Sequence, residues 1–403
     1  MKPNNFISRL SFLIGSLLVV SASRSFADGI IVTNTADAGP GTLRGVVADA
    51  SPGAIIRFAP ALSGQTITLT NGEIVLTTNI IIDGSTLVNG IQISGNYQSR
   101  IFNISADAGV TLVSLTLVNG GGSGGDGGAL YNAGDTVVNY CTFTANTTGS
   151  GGAIKNVGGT LVLNECTLTG NSTQDGGGGG AIVNYAALFL NNCTLTGNSS
   201  LAYFGGAIYS EFGAQVTLDN TIAAGNTGSD IYNNGTLTLA GTNIVQSISG
   251  STSGTTPINA DPQLAALGNY GGPTPTMPPL PGSPAIDAGD DSVTNAFPTD
   301  QRGYPRLAGA HVDIGAVEGI YNAAGPGTVI NVMRLGNGSI QFGFTNLTDA
   351  NFPVLATTNL SLPLSDWTQI GFATNNPIGS MNYQFSDTNA TKFPQRFYRV
   401  KSP

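Results

Sequence analysis

Residues 151–171 read GGAIKNVGGTLVLNECTLTGN, and three neighbouring segments repeat the same plan. Each segment begins with Gly-Gly-Ala followed by Ile or Leu, continues with alternating apolar residues and ends with Asn. The other three are GGALYNAGDTVVNYCTFTAN (127–146), GGAIVNYAALFLNNCTLTGN (179–198) and GGAIYSEFGAQVTLDNTIAAGN (205–226). Their starts lie 24, 28 and 26 residues apart, which is a period typical of solenoid proteins.

The apolar residues within each unit indicate strands. Leu161 and Leu163 fall on one face and Thr167 and Thr169 face away, which is a period of two and not the 3.6 of a helix. Strict six-residue periodicity is absent, so a left-handed hexapeptide helix fits poorly. The pattern therefore predicts an all-β, right-handed parallel β-helix with one coil per unit. At a rise of ~4.8 Å per coil, roughly eight coils would form a rod of about 40 Å.

Stacked coils place equivalent residues in columns. Cys141, Cys166 and Cys193 then form one core ladder, continued by Thr221, because free cysteine is often buried as a small hydrophobic residue. A second set of equivalent residues forms a predicted ladder of turn asparagines, whose amides can hydrogen-bond each other. Its members are Asn146, Asn171, Asn198 and Asn226. Asn132, Asn156 and Asn184 form another such row. The odd number of cysteines leaves at least one thiol free, and whether the others pair stays open.

The repeats resemble a known group of proteins. GGAL with FTAN, and GGAI with LTGN, look like the GGA(I/L/V) and FxxN repeats of polymorphic outer-membrane proteins. The wider chain is similar to secreted bacterial β-helix proteins with a choice-of-anchor Q domain, through residues 32–50, 64–76, 261–290, 300–306 and 312–319. The resemblance implies a pectin-lyase-like β-helix and export, with a choice-of-anchor Q-like cap at about 255–320. It implies no known reaction.

Composition limits the partners. The net charge is −9, and charged residues make up only 9% of the chain, so binding of nucleic acid through its phosphates is disfavoured, as is binding to an anionic membrane.

Residues 1–27 form a predicted signal peptide, with basic Lys2 and Arg9, an apolar run and cleavage after Ala27. No later stretch is long and apolar enough to span a bilayer. We expect a secreted, extracellular or cell-surface protein.

Two further regions flank the regular coils. Residues 42–50 carry a short helical pattern that suits an N-terminal cap within a β-helix domain spanning 28–320. Residues 271–284 contain six prolines and should interrupt the regular solenoid. Residues 321–403 contain short strands separated by Asn, Gly and Pro, which favours a small β-sandwich of fibronectin or immunoglobulin type. Part of this region resembles a C-terminal module of secreted bacterial proteins.

A polar cluster follows the prolines. It comprises Asp287, Asp300, Arg302, Arg306, Asp313 and Glu318. Because arginine and carboxylate groups suit buried pairing, we interpret the cluster as a folded cap in which Arg302 or Arg306 pairs with Asp287 or Asp313. A ligand site is the alternative.

One segment raises the question of calcium. GGSGGD (121–126) matches the first six positions of the calcium-binding nonapeptide G-G-x-G-x-D-x-U-x. The match occurs once, and Gly128 stands where a large apolar residue is required. Asp126 is thus a weak Ca²⁺ candidate, and the segment is better interpreted as a glycine-rich turn. We predict no metal and no cofactor.

Catalysis has little support in the residues. A polyuronate lyase needs a base, yet Lys155 is the only basic residue between Arg100 and Arg302, and G-x-S-x-G is absent. A hydrolase needs paired carboxylates about 5–9.5 Å apart, but those of the coils fall at different phases of the repeat.

We expect a non-catalytic protein that acts in adhesion or in binding a glycan or cell-surface component. A polysaccharide-active lyase or hydrolase and a structural spacer are the alternatives. A row of exposed aromatic residues would favour glycan binding, and the candidates are Tyr131, Tyr185, Tyr203 and Tyr209.

Overall fold

The structure is a computed structural model, which describes residues 30–122, 125–174, 176–201, 204–319, 330–345, 352–375 and 382–401. The predicted signal peptide (1–27) lies outside the described residues. The chain forms two compact units. Of the described residues, the first unit contains those up to 318 except 268–270 and 280–282, and the second contains those two segments and the described residues from 319 onward.

The first unit is a solenoid built almost entirely of β-strands, with a short α-helix, α1 (Leu43–Ala48), near its start. The strands before the regular repeats are β1 (Ile30–Val32), β2 (Ala54–Phe58), β3 (Thr66–Thr68), β4 (Ile74–Leu76), β5 (Ile80–Asp83), β6 (Gln92–Ser94), β7 (Phe102–Ile104), β8 (Gly109–Val113) and β9 (Thr116–Val118). The strands of the next three coils are β10 (Leu130–Asn132), β11 (Asp135–Asn139), β12 (Thr142–Thr144), β13 (Thr147–Thr148), β14 (Ile154–Asn156), β15 (Thr160–Asn164), β16 (Thr167–Thr169), β17 (Ser172–Thr173), β18 (Ile182–Asn184), β19 (Ala187–Asn191), β20 (Thr194–Thr196) and β21 (Ser199–Ser200). The remaining strands of this unit are β22 (Ile208–Ser210), β23 (Gln215–Asp219), β24 (Ile222–Ala223), β25 (Ile231–Asn233), β26 (Thr236–Ala240), β27 (Ile244–Val245), β28 (Ile248–Ser249) and β29 (Ser253–Gly254).

Three long parallel sheets run along the solenoid. Sheet A has ten strands in the order β1-β2-β5-β8-β11-β15-β19-β23-β26-β29. Sheet B has eight, β3-β6-β9-β12-β16-β20-β24-β27, and sheet C has eight, β4-β7-β10-β14-β18-β22-β25-β28. Each strand pairs with its equivalent in the next coil, for example Leu161 with Leu188. The prediction of a parallel β-helix of about eight coils is therefore confirmed.

The Gly-Gly-Ala start of each unit has a steric cause. Gly179 has φ +71°, a conformation that costs other residues energy. Gly180 has no such φ, but a Cβ there would collide with the carbonyl oxygen of Gly206 in the next coil. The first glycine therefore makes the turn, and the second lets successive coils approach closely.

The helix α1 packs against the first coils. Thr42 is its N-cap, and the side chain accepts a hydrogen bond from the Gly45 N–H at 3.1 Å. Leu43 and Val46 are buried in the same core as the strands. The predicted helix is thus present, one residue shorter at its start and two shorter at its end.

A strap formed by residues 283–318 lies along the outer side of sheet B. Between residues 255 and 319 there is no strand, only isolated bridges and a short 3-10 helix, Asp291–Asn295. The Gln301 side chain donates to Thr142 Oγ1 (2.8 Å) and accepts from Thr167 Oγ1 (2.6 Å), and Ala316 N–H donates to Thr194 Oγ1 (3.0 Å). The strap therefore follows the side of several coils and buries the outward threonines of sheet B.

The second unit is a six-stranded antiparallel sheet. Its strands are β30 (Ile330–Arg334), β31 (Ile340–Thr345), β32 (Phe352–Thr357), β33 (Thr368–Asn375), β34 (Asn382–Asp387) and β35 (Phe397–Val400), in the order β30-β31-β34-β33-β32-β35. Phe344 and Phe352 come from strands that are not neighbours, yet their ring centroids lie 5.2 Å apart. A single sheet therefore curls into a half-barrel over its own core. The predicted antiparallel β module is present, but its strands join in one sheet where two facing sheets were expected.

Candidate functional site: the outer face of sheet C

The three cysteines lie inside the solenoid. All three are free and 0% exposed. Burial raises the pKa of each thiol, to about 12 for Cys141. Thr221 follows in the same column, where its hydroxyl donates to Asp219 O at 3.0 Å. A thiol that stays protonated and is out of reach of solvent is a poor nucleophile and a poor ligand, so this column supplies packing.

The turn asparagines form a continuous hydrogen-bonded row. The Nδ2 of Asn146 donates to Asn171 Oδ1, Asn171 donates to Asn198, and Asn198 donates to Asn226, each at 2.9 Å. The row ends where Asn226 donates to Asp230 Oδ1 at 2.9 Å. The first three asparagines are fully buried, so they are unavailable to an external ligand.

A second amide row runs along the ends of three strands of sheet C, β10, β14 and β18. Asn132 donates to Asn156 Oδ1 (2.8 Å), and Asn156 donates to Asn184 Oδ1 (2.7 Å). All three side chains are fully buried. These amides satisfy each other and nearby carbonyl groups, which is a structural role.

Five residues of the polar cluster of the strap are buried, whereas Asp287 is exposed, and the arginines have ion-pair partners other than those expected. Arg302 pairs with Asp300 at 2.7 Å, and Arg306 lies 3.3 Å from Glu165 of the solenoid. Asp313 and Asp287 accept hydrogen bonds from backbone groups. Asp313 Oδ1 accepts from the Asp287 N–H at 2.8 Å, and Asp287 Oδ1 accepts from the Ala310 and His311 N–H groups at 2.7 and 3.1 Å.

Glu165 is a fully buried carboxyl group, and the sequence analysis did not identify it as a partner of Arg306. It occupies a corner with φ +52°, which is also the backbone conformation of Tyr140 and Asn192 in the adjacent coils. Burial raises its pKa well above the ordinary range, and this desolvation outweighs the attraction of Arg306. The only signal in the sequence was that Glu165 places a carboxylate at a position of the repeat where the neighbouring coils have the uncharged residues Tyr140 and Asn192.

Asp126, the weak calcium candidate, forms an ion pair. Its Oδ2 lies 2.7 Å from Lys155 Nζ. Within the described ranges, no group of three or more His, Cys, Asp or Glu side chains is arranged to hold a metal ion. Asp126 thus belongs to a charged surface feature on sheet C.

The outer face of sheet C carries a band of charged and aromatic side chains. One column runs through Tyr131, Lys155, Val183, Tyr209 and Tyr232 in successive coils; Val183 is buried and the other four are half-buried. At its start, Arg100 pairs with Glu73 at 2.7 Å and lies 4.8 Å from the centre of the Tyr131 ring. Further along, Lys155 Nζ lies 5.3 Å from the Tyr185 ring. We call this surface the sheet C band.

The far end of the band is aromatic. The centroid of Tyr232 lies 5.0 Å from that of Phe204 and 5.5 Å from that of Tyr209. Phe204 and Tyr185 are exposed at 44% and 42%, and Phe212, nearby in sequence, is exposed at 90%. We call Tyr185, Phe204, Tyr209 and Tyr232 the aromatic patch. Of the aromatic candidates predicted from the sequence, Tyr203 lies outside the described residues. Phe204 and Tyr232 belong to the patch but were not among the predicted candidates.

Glycine-rich turns shape this patch. The ring of Tyr209 rests against Gly178, where an added Cβ would lie 2.5 Å from Tyr209 Cγ. The Glu211 carboxylate lies beside the hydroxyl groups of Tyr185 and Tyr209, and it raises the pKa of both phenols after the larger effect of desolvation. The patch therefore combines ring faces with a carboxylate.

Comparison with known proteins gives one match. Residues 189–211 match the family model of the Chlamydia polymorphic membrane protein repeat. The matched segment includes Phe204 and Tyr209 of the aromatic patch. No curated protein matches the chain. In the part of the chain that is described, no helix has both the length and the hydropathy to cross a membrane. The repeat match and the β-helix fold are consistent with a non-catalytic surface protein.

Proposed function

We propose that the chain is a non-catalytic, secreted or cell-surface β-helix protein that acts in adhesion by binding a glycan or another cell-surface component. The sheet C band is the observation that supports this function. It collects exposed aromatic residues and two ion pairs on one face of the solenoid. A rod of stacked coils holds such side chains at fixed spacing.

The repeat match supports a surface location. Proteins described as polymorphic membrane proteins share the repeat found at residues 189–211, and the N-terminal sequence favours export. The cap at about 255–320 with choice-of-anchor Q character is part of the same proposal.

Binding of the purified protein to a glycan array and to bacterial and eukaryotic cell surfaces tests this function. The Tyr209→Ala/Tyr232→Ala double variant should lose most of the binding. Phe189→Ala removes an aromatic residue from the outer face of sheet A and should keep it. Equal binding by both variants would place the function elsewhere, and release of cleaved saccharide by the wild type would show an enzyme.

A further inference from the structure

We infer that the aromatic patch binds an uncharged polysaccharide chain that runs along the solenoid axis. This inference rests on the proposed function and specifies the chemical class of its ligand. It is carried by three features of the patch: the arrangement of its rings, the polar groups around them and the charge balance of the sheet C band.

The rings form a rigid platform. Tyr209 and Tyr232 project from paired positions of β22 and β25, with their ring planes inclined by 32° and Phe204 set edge-on to Tyr232. Both strands belong to a continuous sheet, and Gly178 supports the Tyr209 ring from below. Little conformational entropy remains to be lost on binding. The C–H face of a pyranose ring is apolar and can pack on such a surface.

Polar groups lie beside the rings of the aromatic patch. Asn234 Nδ2 donates to the Tyr209 hydroxyl at 3.3 Å. The Glu211 carboxylate, beside the Tyr185 and Tyr209 hydroxyls, can only accept hydrogen bonds when it is ionised. Sugar hydroxyls both donate and accept, so they match this mixture. A lipid tail or a purely apolar peptide would displace water from these groups and offer them no hydrogen bonds.

The charges of the band argue against an acidic polymer. Its two cations are already paired, Arg100 with Glu73 and Lys155 with Asp126, at 2.7 Å each. The carboxylate of Glu211 lies within the patch, and the whole chain has a net charge of −9. A polyuronate or an anionic bilayer would meet repulsion with no unpaired cation in the band to offset it. An uncharged chain is the complementary ligand.

The column of outward residues sets the direction of the chain. Successive coils are spaced by ~4.8 Å, which is close to the length of one sugar unit in an extended chain. Tyr131 lies three coils from Tyr209 in the same column, about 14 Å away. A saccharide that reaches from the aromatic patch to Tyr131 needs about four units. Affinity should therefore rise with chain length up to that size.

Calorimetric titration of the full chain tests the inference. The probes are cello-, laminari- and manno-oligosaccharides of two to six units, with oligogalacturonates of matched length as the acidic comparison. At least one neutral series should bind, with affinity that increases to about four units and changes little with salt. Tyr209→Ala and Tyr232→Ala should each weaken binding about ten-fold, whereas Phe189→Ala should have no effect.

The outcomes separate the two proposals. Preference for oligogalacturonate, or neutral binding that survives Tyr209→Ala, overturns the inference. If neutral saccharides do not bind but cells, a protein receptor or phosphatidylglycerol vesicles do, and that binding is lost in the double variant, the ligand class is wrong while the proposed function stands. If no surface binds and the double variant behaves as wild type, the proposed function fails.

Discussion

Arg306 of the strap lies 3.3 Å from Glu165 of the solenoid, and both side chains are fully buried. Arg306 also donates through Nη2 to the carbonyl oxygens of Asp313 (2.9 Å) and Gly315. The guanidinium therefore joins the strap to a coil corner and organises the strap itself. Since burial raises the pKa of Glu165, the guanidinium is the more important member of the pair.

Arg306→Met should lower the free energy of unfolding by about 3–5 kcal/mol, because it removes one member of a buried pair and leaves carbonyl groups without donors. Glu165→Gln keeps the shape of the side chain, and burial already disfavours the ionised form of Glu165, so this change should cost about 1 kcal/mol or less. Urea denaturation of both variants measures the difference. Equal losses would mean that Glu165 is ionised and contributes as much as the arginine.

Stability of the strap should fall as the pH rises from about 4.5 to about 7. Burial, and then the nearby Asp313 carboxylate, raises the pKa of Glu318 from 4.5 to about 7. The folded state thus holds this proton more tightly than the unfolded state, and the stabilisation present below pH 4.5 is lost as the pH passes through the folded-state pKa.

Melting temperatures between pH 4 and 8 test this dependence. The glutamine of the Glu318→Gln variant cannot ionise. The stability of the wild type relative to this variant should therefore decrease as the pH rises from 4 to 8. Gln also replaces an oxygen that accepts from the Ala308 or Asp313 N–H group, which adds a penalty that does not change with pH. A constant difference between the two proteins would show that Glu318 has an ordinary pKa.

The repeat made the solenoid predictable, because in-register stacking converts a sequence period directly into columns. Gly179, Cys166 and Asn171 occupy such periodic positions, and each has a neighbour of the same kind one coil away. The position of Tyr232 was missed because its unit lacks the Gly-Gly-Ala start, although its strand pairs in register with that of Tyr209.

The strap was not predictable in the same way. Its sequence does not repeat, so nothing in it indicates that Arg306 meets Glu165 or that Gln301 meets Thr142 and Thr167. The bending of the sheet in the second unit could not be predicted from the sequence either. Alternation predicts which residues of β31 and β32 face inward, but not that one sheet bends far enough for Phe344 to contact Phe352.

The three thiols should be inert in the folded protein. They are fully buried, and a thiol with a pKa of about 12, as at Cys141, has almost no thiolate at neutral pH. A chromogenic disulfide reagent should detect no thiol in the native state and three after denaturation without reductant. Detection of one thiol after denaturation would reveal a disulfide, and rapid reaction of the native protein would show that the coils open.

Serine should be tolerated in the cysteine column. Thr221 already places a hydroxyl there, where it donates to Asp219 O and to Leu190 O at 3.0 and 3.2 Å. The Cys166 thiol lies 3.2 Å from Asn164 O, so a serine hydroxyl at this position has an acceptor. Cys166→Ser should cost about 1 kcal/mol or less by urea denaturation. A loss as large as that of Arg306→Met would mean that the packing of sulfur is essential.

Asn171→Ala should be among the most damaging single changes in the solenoid. The Asn171 amide donates to Phe143 O (3.0 Å) and Asn198 Oδ1 (2.9 Å), and its oxygen accepts from Asn146 Nδ2 (2.9 Å). Alanine leaves these buried groups without partners, so we expect a loss of at least about 3 kcal/mol in the free energy of unfolding.

The matched control is Asn191→Ala. Asn191 is half-buried, and its Nδ2 makes one side-chain hydrogen bond, to Asn164 Oδ1 at 2.8 Å. Water can replace this partner, so the loss should stay within about 1 kcal/mol. Similar losses for both variants in urea denaturation would contradict a special role for the buried row. A loss confined to Asn171→Ala would show that the stacking of the coils depends on the buried amides. At the Asn171 site water cannot reach the hydrogen-bonding groups that lose their partner, whereas at the half-buried Asn191 site it can.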